Sequence, residues 1–440
     1  MTETEFLALI TQDSAARVLE VLAEIPENER RAFARTAHAT LKSYHKAKWD
    51  RQTGGTSEPG QIAKDGDALD IAVLATGVPS EIAAHRWPVL PNTIKITEVF
   101  QALKPSWIDR WAEAAVEDNP QMLRTVQQLY RQGLCRLPDT DAYILGYYAD
   151  RQSADWRAGD EFQQRDVWRF FEVEGGGEFC LASHDKYTVE VNSWSTTLLA
   201  LCAKDALDRG RLLDATLDTL ERDFGQFQAG WYSRFHMRLE PTLKEMTARV
   251  GRYLNLLGSM VPPTVSLALK ILKQVDKTGA ILPDDLLASV GPALQARQKS
   301  SALAALLLLK SCAKRHKERA ADIARTAALA LISEAGEVQE RALDLIDQLG
   351  QSQNPDLRAV FAEYVDAVTP VVRERLSDLL GTQSANVGET PAYPVPQFKA
   401  IIPVGSAEEA VSTFLELLEN CRDPFLIERA MDGVARFGAA

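Results

Sequence analysis

The chain has 440 residues, too many for one compact core, with 46% hydrophobic and 25% charged residues, which are ordinary globular proportions. Its formal net charge of -12 argues against general attraction to nucleic acid or to an anionic membrane surface. The five cysteines, Cys135, Cys180, Cys202, Cys312 and Cys421, are odd in number and scattered, without metal-ligand spacing; they predict free thiols in a reducing compartment, no zinc site and no bound cofactor. The amino terminus carries acids in place of a basic region, and no apolar run approaches the roughly 18 residues that a membrane span needs, so a cytoplasmic location is expected.

Residues 13–25 read as an amphipathic helix with Val18, Leu19, Leu22 and Ile25 inward, and Pro26 starts a second that reaches Trp49. The second carries Arg30, Arg31, Arg35, Lys42, Lys46 and Lys48; acids flank them, so they read as a solvated face and not as a phosphate-binding stripe. His38 and His45 lie on it without the further ligands a metal requires and read as surface residues. Residues 51–67, with Gly54, Gly55 and Gly60, form a loop. A phosphate loop is excluded there, because the lysine spacing and the preceding strand are missing.

Short helices are expected at 68–76, 79–84, 93–103, 106–116, 122–132 and 140–148, punctuated by Pro88, Pro91, Pro105 and Pro120. Trp107, Trp111, Tyr130, Tyr143, Tyr147 and Tyr148 fall at helical spacing and read as core. Only 170–182 has strand character, with apolar residues on both sides of Gly175, Gly176 and Gly177; a small β-hairpin or an irregular insertion both fit.

From 192 to 381 the chain reads as helix after helix. Ser193 and Trp194 open one and 211–222 forms the next. Phe224, Phe227, Trp231 and Phe235 then form an aromatic stripe, read as core, with Asp223, Arg234, His236 and Glu240 alongside. Those four and Trp231 are the residues at which a binding site is expected. Similar apolar helices open near Val261, Gln298, Gly336 and Thr369, 33 to 38 residues apart, the spacing of paired-helix solenoids of the HEAT or armadillo kind. The first begins at Pro262 and Pro263, places Val265, Leu269, Leu272 and Val275 on one face and Leu267 and Ile271 on another, and stops at Gly279. Ser300 or Ser301 is expected to cap the next. Its run 302–309 is apolar all round, which predicts the best-buried helix, and it ends in a basic turn at 314–317. Asn354 with Pro355 and Thr369 with Pro370 repeat one start signal 15 residues apart.

The runs Arg165-Asp166-Val167-Trp168, 171–179, Gly210-Arg211-Leu212-Leu213-Asp214 and Ala229-Gly230-Trp231-Tyr232-Ser233-Arg234-Phe235-His236 resemble the bacterial family called domain of unknown function 6493. So do 132–134, 138–140 and 261–265, and the likeness extends over most of the chain up to Gly381. The resemblance implies a HEAT-like helical protein and assigns no catalytic residue. It also implies genes that sit near ring ATPases and von Willebrand A-type proteins, which makes these the expected protein partners. Similar proteins are often longer and continue past a linker into a second helical module. Here 382–403, rich in Pro, Gly, Ser and Thr, reads as that linker, and 404–440 as the start of the module, with helices at 407–418 and 424–437; a truncated or shortened member is expected.

The expected architecture is therefore all-α: an N-terminal helical region at 1–190, a solenoid of antiparallel helix pairs at 191–381, the linker and the further module. The expected function is a non-enzymatic scaffold that holds a protein partner along one face. The alternative is a helical-solenoid enzyme or binder acting on nucleic acid, for instance on a flipped base. No Ser/His/Asp, Cys/His, metal or paired-acid signature supports it. Its one favourable feature is the stretch from Lys299 to Arg325, with seven Lys or Arg against two acids, which otherwise reads as helix ends and outer faces.

Overall fold

Caps and prolines place the helices of this chain. In the computed structural model, Thr2 and Glu5 close a capping box on Glu3–Gln12, Ser14 caps Ala15–Ala23, and Asp65 caps Gly66–Thr76. Residues 1–78, 93–149, 161–380, 402–419 and 424–438 are described. The helix expected at 79–84, positions 382–401 of the expected linker and Cys421 lie outside them. Three quarters of the described residues are helical and none forms a strand. The chain divides into two units, Met1–Val372 and Arg373–Ala440.

The first unit begins one helix earlier than expected, since Glu3–Gln12 precedes the helix read at 13–25 and buries Phe6 and Ile10 completely. Phe6 stacks on Phe33 with ring centres 4.7 Å apart. Helix Gly66–Thr76 is buried on all faces and packs against Ala15–Ala23 and Ala34–Gln52. Arg30 does not join the solvated basic face expected of it. It is 3% exposed, and its guanidinium donates to the Leu22 carbonyl at 3.0 Å and the Leu103 carbonyl at 3.1 Å, joining two segments far apart in sequence. A helix end leaves carbonyls unpaired, and the planar fork of an arginine satisfies two at once.

The hairpin allowed for at 170–182 does not form. Phe170 and Phe171 turn into the core on a 3-10 segment, Val167–Phe171, and the three glycines make a tight turn closed by one bridge between Gly176 and Phe179. Gly175 has φ +69, and a Cβ there would meet the Phe179 carbonyl oxygen at 2.0 Å, so only glycine fits. Helix Leu181–Tyr187 follows at once.

Four helices then open at Gln226, Pro262, Lys299 and Gly336, and each packs against the next. Short helices between them, Val250–Asn255, Gly291–Leu294 and Ala320–Ala328 among these, lie against the last three. Polar bonds join helices at a similar separation in sequence: Arg209 to Glu245 over 36 residues, Arg249 to Asp214 over 35, Arg252 to Asp218 over 34, Arg315 to Asp276 over 39 and Arg325 to Asp356 over 31. Gln339, buried, donates to the carbonyls of Leu331 and Ser333 and accepts from the amide and hydroxyl of Thr369. Two expectations for helix Lys299–Arg315 fail. Its N-cap is Gln298, with Ser300 and Ser301 inside the helix, and Leu307 is 59% exposed, so the run 302–309 is covered on three sides and open on the fourth.

The second unit takes in the end of helix Pro370–Leu380 and a pair of helices, Ala407–Glu419 and Pro424–Phe437, packed on each other and tied by Arg429 to Glu409 at 2.8 Å.

Replacing Arg30 by Leu should lower stability by about 1–3 kcal/mol, read from urea denaturation, because the Leu103 carbonyl loses its side-chain donor and the Leu22 carbonyl, which also accepts from the Ile25 amide, loses one of its donors. Lys at this position should restore only part, since one ammonium lacks the fork that reaches both.

Candidate functional site

Helix Leu181–Tyr187 starts where Cys180 accepts the Ser183 amide at 3.4 Å, and the chain after it runs extended through Thr188 and Val189 before Ser193 caps Trp194–Ala203. Asp185 sits where this bend meets helix Gln226–Arg238. Its carboxylate accepts the amides of Trp194 at 2.7 Å and Ser195 at 3.0 Å, and the Trp231 indole N–H at 2.9 Å. Burial works to raise its pKa, but hydrogen bonds from His184, Ser195 and Trp231 outweigh that and hold it below the usual carboxylate range.

Around this junction lies a cavity of about 430 Å³. Trp231 and Phe235 form its floor, with rings nearly parallel and centres 5.1 Å apart. Phe227, Trp231, Arg234 and Arg238 follow one another at steps of four, three and four residues along the helix, which puts them on one face. Arg238 is engaged, donating to Ser195 at 2.7 Å and pairing with Glu190 at 3.5 Å. Lys186 lies over the rings of Tyr187 and Phe227, at 5.1 and 5.8 Å. Arg234 is exposed and makes no hydrogen bond or ion pair with any described residue. Phe227 lines the cavity and is exposed; on the adjoining segment Lys186, Thr188 and Glu190 line it, while the intervening Tyr187, Val189 and Val191 are exposed, Val191 to 75%. The site thus combines an aromatic floor, the exposed ring of Phe227 and two cations without carboxylate partners.

The five residues singled out in the sequence do not form one site. Trp231, 4% exposed, and Arg234 line the cavity. His236 is 0% exposed and points elsewhere: its Nδ1 meets the Thr216 hydroxyl at 2.6 Å and its Nε2 the Tyr253 hydroxyl at 2.8 Å. Thr216 already donates to the Leu213 carbonyl, so it accepts from Nδ1–H and leaves Nε2 to accept from Tyr253. Asp223 and Glu240 stand before and after the helix, both with positive φ; Asp223 accepts from the Ser259 hydroxyl and the Glu240 carbonyl from Arg209 at 3.0 Å. Within the stripe read as core, Phe227 is exposed, as is Tyr130 among the aromatics upstream. The sequence reading passed over Asp185, Lys186, Tyr187, Val189, Val191 and Arg238. The alternation of Tyr187, Val189 and Val191 was the available signal, since three apolar residues at period two with no strand to pair them are left on the surface.

Among the described residues no group of three or more His, Cys, Asp or Glu side chains is placed to hold a metal, and no helix is long and apolar enough to cross a membrane. Fold and site define an all-helical protein with a surface pocket floored by Trp231 and Phe235 and lined by Lys186 and Arg234. The chain belongs to the family described as Domain of unknown function (DUF6493), whose model matches residues 1–300 and so contains the whole pocket. No curated protein and no solved structure matches it.

Burial, with Arg249 and Arg252 nearby, pushes the His236 pKa down from 6.5 to about 4. The unfolded chain therefore takes up a proton that the folded chain refuses, and stability falls as pH drops through that window. The loss should be about 2 kcal/mol between about pH 7 and about pH 5, and a His236→Gln protein should show that much less acid sensitivity in urea titrations at the two pH values. Trp231→Ala should lower stability by about 3–5 kcal/mol by the same measurement, because it removes a buried ring and leaves Asp185 one donor short.

Proposed function

We propose that the chain is a non-enzymatic protein-interaction scaffold, in which antiparallel helix pairs stack in the HEAT manner and hold an acidic, apolar segment of a protein partner. One observation carries the reading: a pocket with an aromatic floor is lined by Lys186 and Arg234, which form no ion pair among the described residues, and exposed apolar side chains lie at its lining, Phe227, and on the adjoining segment, Tyr187, Val189 and Val191. Exposed apolar residues clustered beside a concave site mark interaction surfaces, and aromatic and arginine side chains dominate the energy of such contacts. The stacked arrangement is supported by the contact of each helix opening at Gln226, Pro262, Lys299 and Gly336 with the next, and by side-chain bonds that span similar distances along the sequence.

The resemblance to the family supplies the partners to try first, the ring ATPases and von Willebrand A-type proteins encoded nearby in bacteria. Each is co-expressed with the tagged chain and retention is measured for the wild type, Val191→Asp and Arg234→Glu. Both positions are exposed, so the variants should melt like the wild type while retaining at least about tenfold less partner. Retention that ignores both substitutions removes the pocket from the reading, and a partner held only through nucleic acid, lost on nuclease treatment, favours the alternative.

A further inference from the structure

Leu303, Leu307, Lys310 and Lys314 follow one another at steps of four, three and four residues on helix Lys299–Arg315, and Lys317 continues the line in the turn beyond. The stripe is apolar at one end and cationic at the other. Facing it, helix Gly336–Gln348 presents Arg341, Asp344, Leu345 and Gln348. Two adjoining cavities of about 350 and about 360 Å³ run between the helices and share Lys310, Leu345 and Gln348, so they form one groove. It lies beyond residues 1–300, the stretch the family model matches.

The charges along this groove are sorted. Of the seven cations from Lys299 to Arg325, four are neutralised by their own fold: Lys299 by Glu337, Arg315 by Asp276, Arg319 by Asp284 and Asp322, and Arg325 by Asp322 and Asp356. The remaining three, Lys310, Lys314 and Lys317, line the groove and form no ion pair among the described residues. Of the acids on the facing helix, Glu337 is held by Lys299, and Asp344 makes an interaction of its own. Leu307 stands in solvent in the middle of an otherwise covered apolar run. A phosphate backbone would use the lysines and leave Leu303 and Leu307 bare, whereas an amphipathic helix uses both halves.

We propose that this groove docks an acidic amphipathic helix of a protein partner, with its apolar side chains over Leu303, Leu307 and Leu345 and its carboxylates over Lys310, Lys314 and Lys317. The stripe is about 20 Å long, the length of roughly four helical turns, which sets the size of the segment it takes. The groove is separate from the pocket at Trp231 and does not depend on it.

The test uses the full chain and a fluorescein-labelled helical peptide of about four turns, with leucines on one face of its first half and glutamates on the same face of its second, read by fluorescence anisotropy. The peptide should bind saturably, more weakly as salt rises, and about tenfold or more weaker to Leu307→Asp and to Lys314→Glu, both surface changes that leave the fold intact. A control peptide with lysines in place of glutamates should not bind, and Arg234→Glu should leave the affinity unchanged. Absence of saturable binding, equal binding of the lysine peptide, or indifference to both groove variants overturns the proposal. So does loss of binding on Arg234→Glu, which places the peptide in the other pocket. A single-stranded oligonucleotide that displaces the peptide and needs Lys314 but not Leu307 also overturns it, and assigns the groove to phosphate instead.

Discussion

The carboxylate of Asp185 accepts from two backbone amides at the start of one helix and from an indole on another, and through these bonds it fixes how three elements meet. Those amides are among the donors that every helix leaves unpaired at its N-terminus, where the helix dipole also favours a negative charge. Ser193 completes the cap by accepting the Thr196 amide at 3.2 Å. With its indole held, Trp231 lies flat against Phe235, and the residues one turn to either side, Phe227 and Arg234, are turned outward. A neutral apolar residue at 185 would leave three donors stranded in a largely buried place, each at a cost of about 1–3 kcal/mol. The pocket's floor and its free cation therefore share one anchor.

Two other polar clusters are as buried as this one but closed. Asp166 accepts from the hydroxyls of Tyr147 at 2.7 Å and Tyr143 at 3.2 Å, and Gln127 donates to both tyrosines from the other side. Burial raises the Asp166 pKa, and the hydroxyl of Tyr147 draws it partly back. Thr216, His236 and Tyr253 form the second cluster, in which burial pushes the tyrosine up to about 12 and the histidine down to about 4. In each, the polar atoms find partners within the protein, which specifies one arrangement of the core and leaves nothing for a ligand. This separates them from the pocket, where Arg234 and Lys186 find no carboxylate partner.

Much of the fold was legible because helix punctuation is local chemistry. Ser193, Asn354, Pro262 and Gly350 each act where their side chain or backbone freedom says they must. What failed depended on tertiary context. Arg30 looks like its solvated neighbours until the carbonyls of Leu22 and Leu103 are brought to it, and Leu307 looks like its buried neighbours until one side of its helix is left uncovered. Residues 170–182 have the composition of a hairpin, but Phe170 and Phe171 are worth more in the core than paired along an edge. The candidate site was half legible: helical spacing found Trp231 and Arg234 together, and mistook His236, on the opposite face, for a companion. The segment 185–191 carries no motif, and its role exists only through the bend that brings Asp185 to Trp231.

The modest sequence separation of the side-chain bonds between these helices has a kinetic meaning. From Asp214 to Arg249 and on to Asp276 with Arg315 and Gln339 with Thr369, the bonds span 35, 39 and 30 residues, so the loop each must close is short and nearly equal. Short loops cost little chain entropy to close, so these particular contacts can form early in folding, ahead of longer-range ones such as Arg30 to Leu103. The reverse holds for opening. Helices tied to their neighbours by several such bonds open together, whereas one held by a single bond opens on its own and at lower cost.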